Sequence, residues 1–314
     1  MEAILFVGHG SRDEEGNQEL LAFTEKVAQY LQEPIIETCF LELTQPDIPH
    51  GVARCVEQGA THIRVIPIML FAAGHSKVHI PFAIHEAKEK VPNVEFSYGR
   101  PFGVEKEILP ILKRRIHEHA MLADKTLDNR EDLAILLVGR GSSDGDANSD
   151  LYKIARLLWE KMPVKWVESA FIGVTHPRFE EGLKRCEQMG ASRCIVVPYF
   201  LFTGVLIKRM DDLLRKFSAT GGGLPVKMST YLGLDEDLVH VLLDRVQEVA
   251  QGGGEDWEAL VAKAQADGHH PHHHHDHDHT HDHRDHGHSH PSIDFSGSDS
   301  PQVITSSVRH QGGK

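Results

Sequence analysis

The sequence predicts an α/β protein: two doubly wound parallel-sheet lobes related by internal duplication, followed by a disordered C-terminal tail. Three observations predict it. Short apolar runs bounded by Gly or Pro alternate with segments of helical periodicity, the pattern of a parallel sheet covered on both faces. That pattern occurs twice, at a constant offset of 131 residues. Past residue 252 the apolar periodicity gives way to a polar stretch dominated by histidine, with little to bury.

Each element has its own signal. "AILFVG" is a short apolar run ending at Gly, and "NQELLAFTEKVAQYL" follows with Leu20, Thr24, Val27 and Leu31 at helical spacing. "IIETCFL" predicts a second strand, "PDIPHGVARCVEQG" a helix closed by a C-terminal Gly, and "HIRVIPIML" a third strand. "VHIPFAIHEAKEKV" and "EILPILKRRIHEHA" predict helices, with "VEFSYG" a strand between them. The second unit repeats the order. "ILFVGHGSRD" at 4–13 returns as "ILLVGRGSSD" at 135–144, and the same shift aligns Asn17 with Asn148, Glu37 with Glu168 and Phe40 with Phe171. It also aligns Pro46 with Pro177, Gly59 with Gly190, Pro67 with Pro198 and Lys77 with Lys208, without a gap. The expected divisions are therefore a first lobe at 1–125, its duplicate at 126–251 and a flexible tail at 252–314, which contains one short helix-like stretch from Trp257 to Ala266.

Composition narrows the function classes. A net charge of −13 argues against a general nucleic-acid binder. No apolar stretch is long enough to span a bilayer, and the N-terminus shows no signal-peptide pattern. Cys39, Cys55, Cys186 and Cys194 have neither CxxC spacing nor a disulfide pattern, which fits reduced thiols and a cytoplasmic protein.

In parallel sheets ligands bind beyond the carboxyl ends of the strands. There the first unit carries His9, then Glu42 and Gln45, then His75. The second unit has Arg140, Gly173 and Leu206 where the first has His9, Glu42 and His75. A purely structural need for the two histidines would have kept them in both copies, so the first half is expected to carry the chemistry. Two imidazoles and a carboxylate suit a borderline divalent ion such as Co²⁺, Fe²⁺, Ni²⁺ or Zn²⁺. Gly8-His9-Gly10 is not a dinucleotide loop, and no Walker lysine follows it.

"VGHGSR", "FLELTQP", "GATHIRVIPIMLFAAGHSK" and the "IP" at 80–81 together resemble the class II chelatases of the CbiX/SirB type, in a fused two-unit form over about residues 1–250. The resemblance implies the two-lobed chelatase fold, with a macrocycle held in a cleft between lobes. It implies insertion of a divalent metal into sirohydrochlorin. His9 would be metal ligand and proton acceptor, His75 the second ligand, and Glu42 a proton acceptor or aid to the ion. Gln45, Leu70, Phe71, Ala72, Ala73 and Gly74 would line the tetrapyrrole site. Insertion expels pyrrole N–H protons, and neutral imidazole, with a pKa of about 6.5, can serve as ligand and base. Because the substrate is a polycarboxylate and the protein acidic, local cations are needed: Arg12, Lys77, Arg140, Lys208 and Arg209 lie near strand ends, and Arg140 is expected to anchor a substrate carboxylate.

Thirteen of the 24 histidines fall in residues 269–290, many alternating with Asp. Such a tail collects first-row divalent ions at many weak sites. Long forms of the family carry tails of this kind, which favours cobalt and the cobalamin branch. No cysteine follows Cys194, so no iron–sulfur cluster and no cofactor beyond the metal substrate is expected. The leading reading is a cobalt chelatase acting as a monomer on sirohydrochlorin. An iron enzyme of sirohaem synthesis, a metal storage or delivery protein, and a non-catalytic tetrapyrrole carrier are the alternatives.

Overall fold

A computed structural model of the chain describes residues 1–121, 130–219 and 223–269. The first repeat runs β1 (Glu2–Gly8), α1 (Glu14–Ala28), β2 (Ile35–Phe40), α2 (Ile48–Glu57), β3 (His62–Pro67), α3 (Ile80–Lys90), β4 (Glu95–Tyr98) and α4 (Ile108–Met121). The second runs β5 (Arg130–Gly139), α5 (Gly145–Trp159), β6 (Val164–Phe171), α6 (Phe179–Gln188), β7 (Arg193–Pro198), α7 (Val205–Ala219), β8 (Val226–Met228) and α8 (Glu236–Ala250). Each repeat builds one four-stranded sheet, β2-β1-β3-β4 and β6-β5-β7-β8, with every pairing parallel. The central strand shows why it forms there. Ala3 to Val7 are all fully buried, with Ile4 and Phe6 in one apolar cluster and Ala3, Leu5 and Val7 in another. Alternate side chains thus enter separate cores, so helices must cover both faces.

Asp13 caps α1 and Glu14 and Glu15 occupy its first turn, so the helix starts three residues before the predicted Asn17. Between β3 and α3, His75–His79 forms one π-helical turn, where the sequence predicts a strand-end loop through Lys77 and a helix from Val78.

The closing helices exchange lobes. α4 ends the first repeat yet packs on β7 of the second, and α8 ends the second yet packs on β3 of the first. Ile108, Ile111 and Leu112 accordingly share a cluster with Ile195 and Val197, and Val246 and Val249 with Ile66. The repeat boundary near 125 divides the sequence, whereas the exchange fuses one wall of each lobe into a common core.

A second difference concerns the expected tail. Residues 252–269 are not a free segment: α9 (Trp257–Ala266) packs against α3 and the π-turn. Trp257, Val261 and Ala264 form its buried face, and the Trp257 indole N–H donates to the Phe96 carbonyl at 3.3 Å. Three apolar residues at spacings of four and three suffice to seat it. The remainder of the tail, including all but the first of its thirteen clustered histidines, lies outside the described residues. Among the described residues no helix is long and apolar enough to cross a membrane. All four cysteines are buried free thiols.

Candidate metal centre

The strand ends set the site. Past Gly8, the amides of Leu41 and Glu42 donate to the carbonyls of Gly8 and His9 at 2.8 and 3.1 Å, extending the β1–β2 pairing into the loops. Gly10 permits this approach: its φ is +88°, and a Cβ there would lie 1.8 Å from the Glu42 carbonyl oxygen. Ser11 and Asn17 lock the loop, the Ser11 amide donating to Asn17 Oδ1 and Asn17 Nδ2 to the Ser11 carbonyl, both at 2.9 Å. His75 arrives from the end of β3 as the first residue of the π-turn.

These loops bring His9, Glu42 and His75 together. His9 Nε2 lies 3.1 Å from His75 Nε2 and 3.5 Å from Glu42 Oε1, and the three ligand atoms all fall within 4.8 Å of one another. Tetrahedral bonds of about 2.1 Å place ligand atoms about 3.4 Å apart, so the spacing suits a first-row divalent ion. Among the described residues no other His, Cys, Asp or Glu trio has this geometry. Three protein ligands leave a coordination position for an incoming group.

The ring nitrogens are prepared for it. His9 Nδ1 donates to the Gly10 carbonyl at 2.9 Å, which leaves Nε2 with its lone pair toward Glu42 and His75. Burial lowers the His9 pKa, and the Arg140 guanidinium lowers it further, against the raising effects of the Gly10 carbonyl and the Glu42 carboxylate. His75 is pushed down to about 3, first by burial and then by His9, His79 and Arg140. Both imidazoles are therefore neutral at pH 7 and able to ligate.

His79 was not singled out from sequence. Its Nδ1 sits 2.9 Å from His75 Nδ1, the nitrogen remote from the ion site, where a partner fixes ring orientation and tautomer. The spacing of four residues was the available signal, since it puts both rings on one face of a helical turn.

The other expected residues divide. Arg140 joins the trio from the second lobe, its Nη1 donating to His9 Nε2 at 2.9 Å. Gln45 is exposed, and its amide is engaged with Asp47 of its own loop. Leu70 and Phe71 pack toward the shared core, where the Phe71 ring stacks on Tyr199 at 5.3 Å. Ala72 and Ala73 are half-buried and Gly74 is exposed, leading directly to His75. Of the basic residues, Lys77 and Lys208 are committed elsewhere: Lys77 Nζ pairs with Asp144 at 2.6 Å and Lys208 Nζ with Asp13 at 2.7 Å. Arg12 and Arg209 are exposed.

The chain is similar to known proteins over most of its length. The CbiX family profile matches residues 3–119 and again 134–249. A sirohydrochlorin cobaltochelatase of Priestia megaterium is 48% identical over 253 residues, 80% of this chain and 81% of that protein. A sirohydrochlorin ferrochelatase of the same organism is 38% identical over 258 residues, 82% of this chain and 94% of that protein. Among solved structures, SirB from Bacillus subtilis with Fe³⁺ superimposes with a TM-score of 0.70 at 36% identity, covering 81% of this chain and 98% of that one. With a profile matched once in each lobe and a relative at 48% identity over most of both chains, the protein belongs to the CbiX family.

Proposed function

We propose that this chain is a sirohydrochlorin chelatase that inserts Co²⁺ into the macrocycle with release of two protons, serving cobalamin biosynthesis. The observation that carries the reading is the convergence of His9, His75 and Glu42 at ion-ligating distances. His9 Nε2 and His75 Nε2 hold the ion as substrate. Transfer to the macrocycle exchanges those two bonds for bonds to ring nitrogens and expels the pyrrole protons, which Glu42 and the vacated imidazole nitrogens accept. Arg140, with donors beyond the one on His9, is the candidate anchor for a substrate carboxylate, and Ala72, Ala73 and Gly74 flank the approach to His75. Gln45, Leu70 and Phe71 complete the proposed lining, with Phe71 acting through its packing on Tyr199. The fused repeat supplies both lobes in one chain, which supports a monomer, and the buried thiols fit a cytoplasmic setting.

Cobalt is preferred because the cobaltochelatase relative shares more of the sequence than the ferrochelatase one. Iron insertion in sirohaem synthesis is the second reading, supported by the 38% identity to a ferrochelatase. A storage or delivery protein would need only the histidine-rich tail and gives no role to the trio.

The test is a spectrophotometric insertion assay under anaerobic conditions with Co²⁺, Fe²⁺ and Ni²⁺, comparing the unaltered chain with His9→Ala/His75→Ala. Metal-dependent acceleration lost in the variant is expected, with Co²⁺ fastest. No acceleration with any metal would overturn the chelatase reading and favour storage.

A further inference from the structure

Arg140 stands where the second repeat aligns with His9, yet its side chain crosses to the first lobe and donates to His9 Nε2 at 2.9 Å. That nitrogen has one in-plane lone pair, because Nδ1 keeps its proton for the Gly10 carbonyl. A divalent ion would use the same lone pair at a bond length of about 2.1 Å. A guanidinium nitrogen at 2.9 Å and an ion at that distance cannot both lie on it. The guanidinium and a divalent cation also repel each other. The contact is not forced by burial, for Arg140 is exposed.

From this we propose that Arg140 competes with the metal substrate for His9 and thereby keeps the ion transferable. The proposal rests on the chelatase reading above and adds a role that anchoring a carboxylate does not include. A chelatase must take an ion from solution and then give it up to the macrocycle. A site that binds too tightly lowers the energy of the loaded state and raises the barrier to transfer. Arg140 offsets that. It weakens the loaded state by repulsion, and it offers His9 Nε2 a charge-assisted hydrogen bond once the ion and the expelled proton have both left that nitrogen. The same movement that frees His9 for the ion sends the guanidinium into the cleft, where an acidic macrocycle can receive it. The duplicate lobe is then more than a platform, since it delivers a cation to the point where the first lobe delivers the ligand.

The experiment is steady-state insertion with the full chain, free Co²⁺ fixed by a metal buffer so that the tail does not alter it, in the unaltered protein, Arg140→Ala and Arg140→Lys. Competition predicts that Arg140→Ala lowers KM for Co²⁺ by roughly tenfold and lowers kcat as well, the signature of a destabilised ground state being relieved. Arg140→Lys keeps the charge and should fall between. A Co²⁺ KM that is unchanged or higher in Arg140→Ala, while KM for sirohydrochlorin rises, overturns the competition and leaves only the anchor. Absence of insertion by the unaltered chain would overturn the chelatase reading and this proposal with it.

Discussion

After β1, the Leu41 amide donates to Gly8 and the Glu42 amide to His9; after β5, the Ile172 amide donates to Gly139 and the Gly173 amide to Arg140, at 3.0 and 2.9 Å. Asn17 bonds both ends of the Ser11 peptide, and Asn148 does the same for Ser142. Gly10 and Gly141 share a φ near +87°, and Leu43 and Val174 share the left-handed region at 69° and 49°. Two lobes with this much common backbone differ in what the backbone displays. One shows His9, Glu42 and His75; the other shows Arg140, Gly173 and Leu206. The comparison teaches that the loop scaffold is maintained by its own hydrogen bonds and turn residues, independently of any chemistry placed on it. An asymmetric site on two nearly identical loop scaffolds is the result.

The largest effect should come from the side chains that break the symmetry. His9→Ala and His75→Ala are each expected to lower kcat/KM for insertion by about 10²- to 10⁴-fold, since each removes a ligand and a proton acceptor. Leu206→Ala, at the position matching His75, should leave insertion within about twofold. A comparable loss from Leu206→Ala in a folded protein would mean that the loop matching the π-turn also takes part in the chemistry.

The shared scaffold predicts the next effect. Gly10→Ala places a methyl group 1.8 Å from the Glu42 carbonyl oxygen, and Gly141→Ala places one 2.6 Å from the Gly173 carbonyl oxygen, both at unfavourable φ. Strain of this kind costs about 1–3 kcal/mol per site. Gly10→Ala should lie at or above the top of that range and Gly141→Ala nearer the middle, read as the change in urea unfolding free energy. Equal values would show that the second loop is as tightly closed as the first.

His79 sharpens the difference further, because its counterpart is the buried Met210. His79→Ala is expected to raise KM for Co²⁺ by roughly tenfold, with partial rescue in His79→Asn, whose side chain restores a polar partner for His75 Nδ1. Loss of kcat alone, with an unchanged Co²⁺ KM, would show that His79 does not orient His75.

The strands, the duplication and the trio were readable because each rests on a local signal: apolar runs bounded by Gly or Pro, a constant offset, and polar residues at strand ends. His79 was legible only as a residue four positions from His75, a spacing that carries no mark of the π-turn joining the two rings. The exchange of α4 and α8 was hidden because an amphipathic helix announces that it has an apolar face and not which sheet will receive it. α9 was read correctly as a helix but assigned to the tail, since the one-sided spacing of Trp257, Val261 and Ala264 is short. Lys77 and Lys208 are the clearest case. Their position near strand ends suggested substrate carboxylates, while their partners, Asp144 and Asp13, are distant in sequence and adjacent only once the lobes face each other.

Those two lysines give the smallest expected effect and the strictest test of symmetry. Each reaches across to the aspartate that caps the first helix of the other repeat, so the pairs are exchanged by the same relation that duplicates the lobes. Burial alone would raise the Asp144 carboxyl pKa, but the hydrogen bonds from Lys77 and the Asp146 amide outweigh it and hold the carboxyl below its ordinary value. A carboxyl lowered on folding contributes stability that is complete above its unfolded pKa, about 3.9, and that disappears as pH falls through the lowered folded value. Lys77→Met should therefore cost less than about 1 kcal/mol at pH 7, the range for partly exposed pairs. The cost should shrink in high salt and vanish at the acid end of that window. Lys208→Met should lower the thermal midpoint in the same direction and with the same salt dependence. If Lys77→Met alone also slows insertion, the ion pair two residues from His75 steadies the π-turn as well as the lobe contact, and the symmetry of the two clamps ends at the metal site.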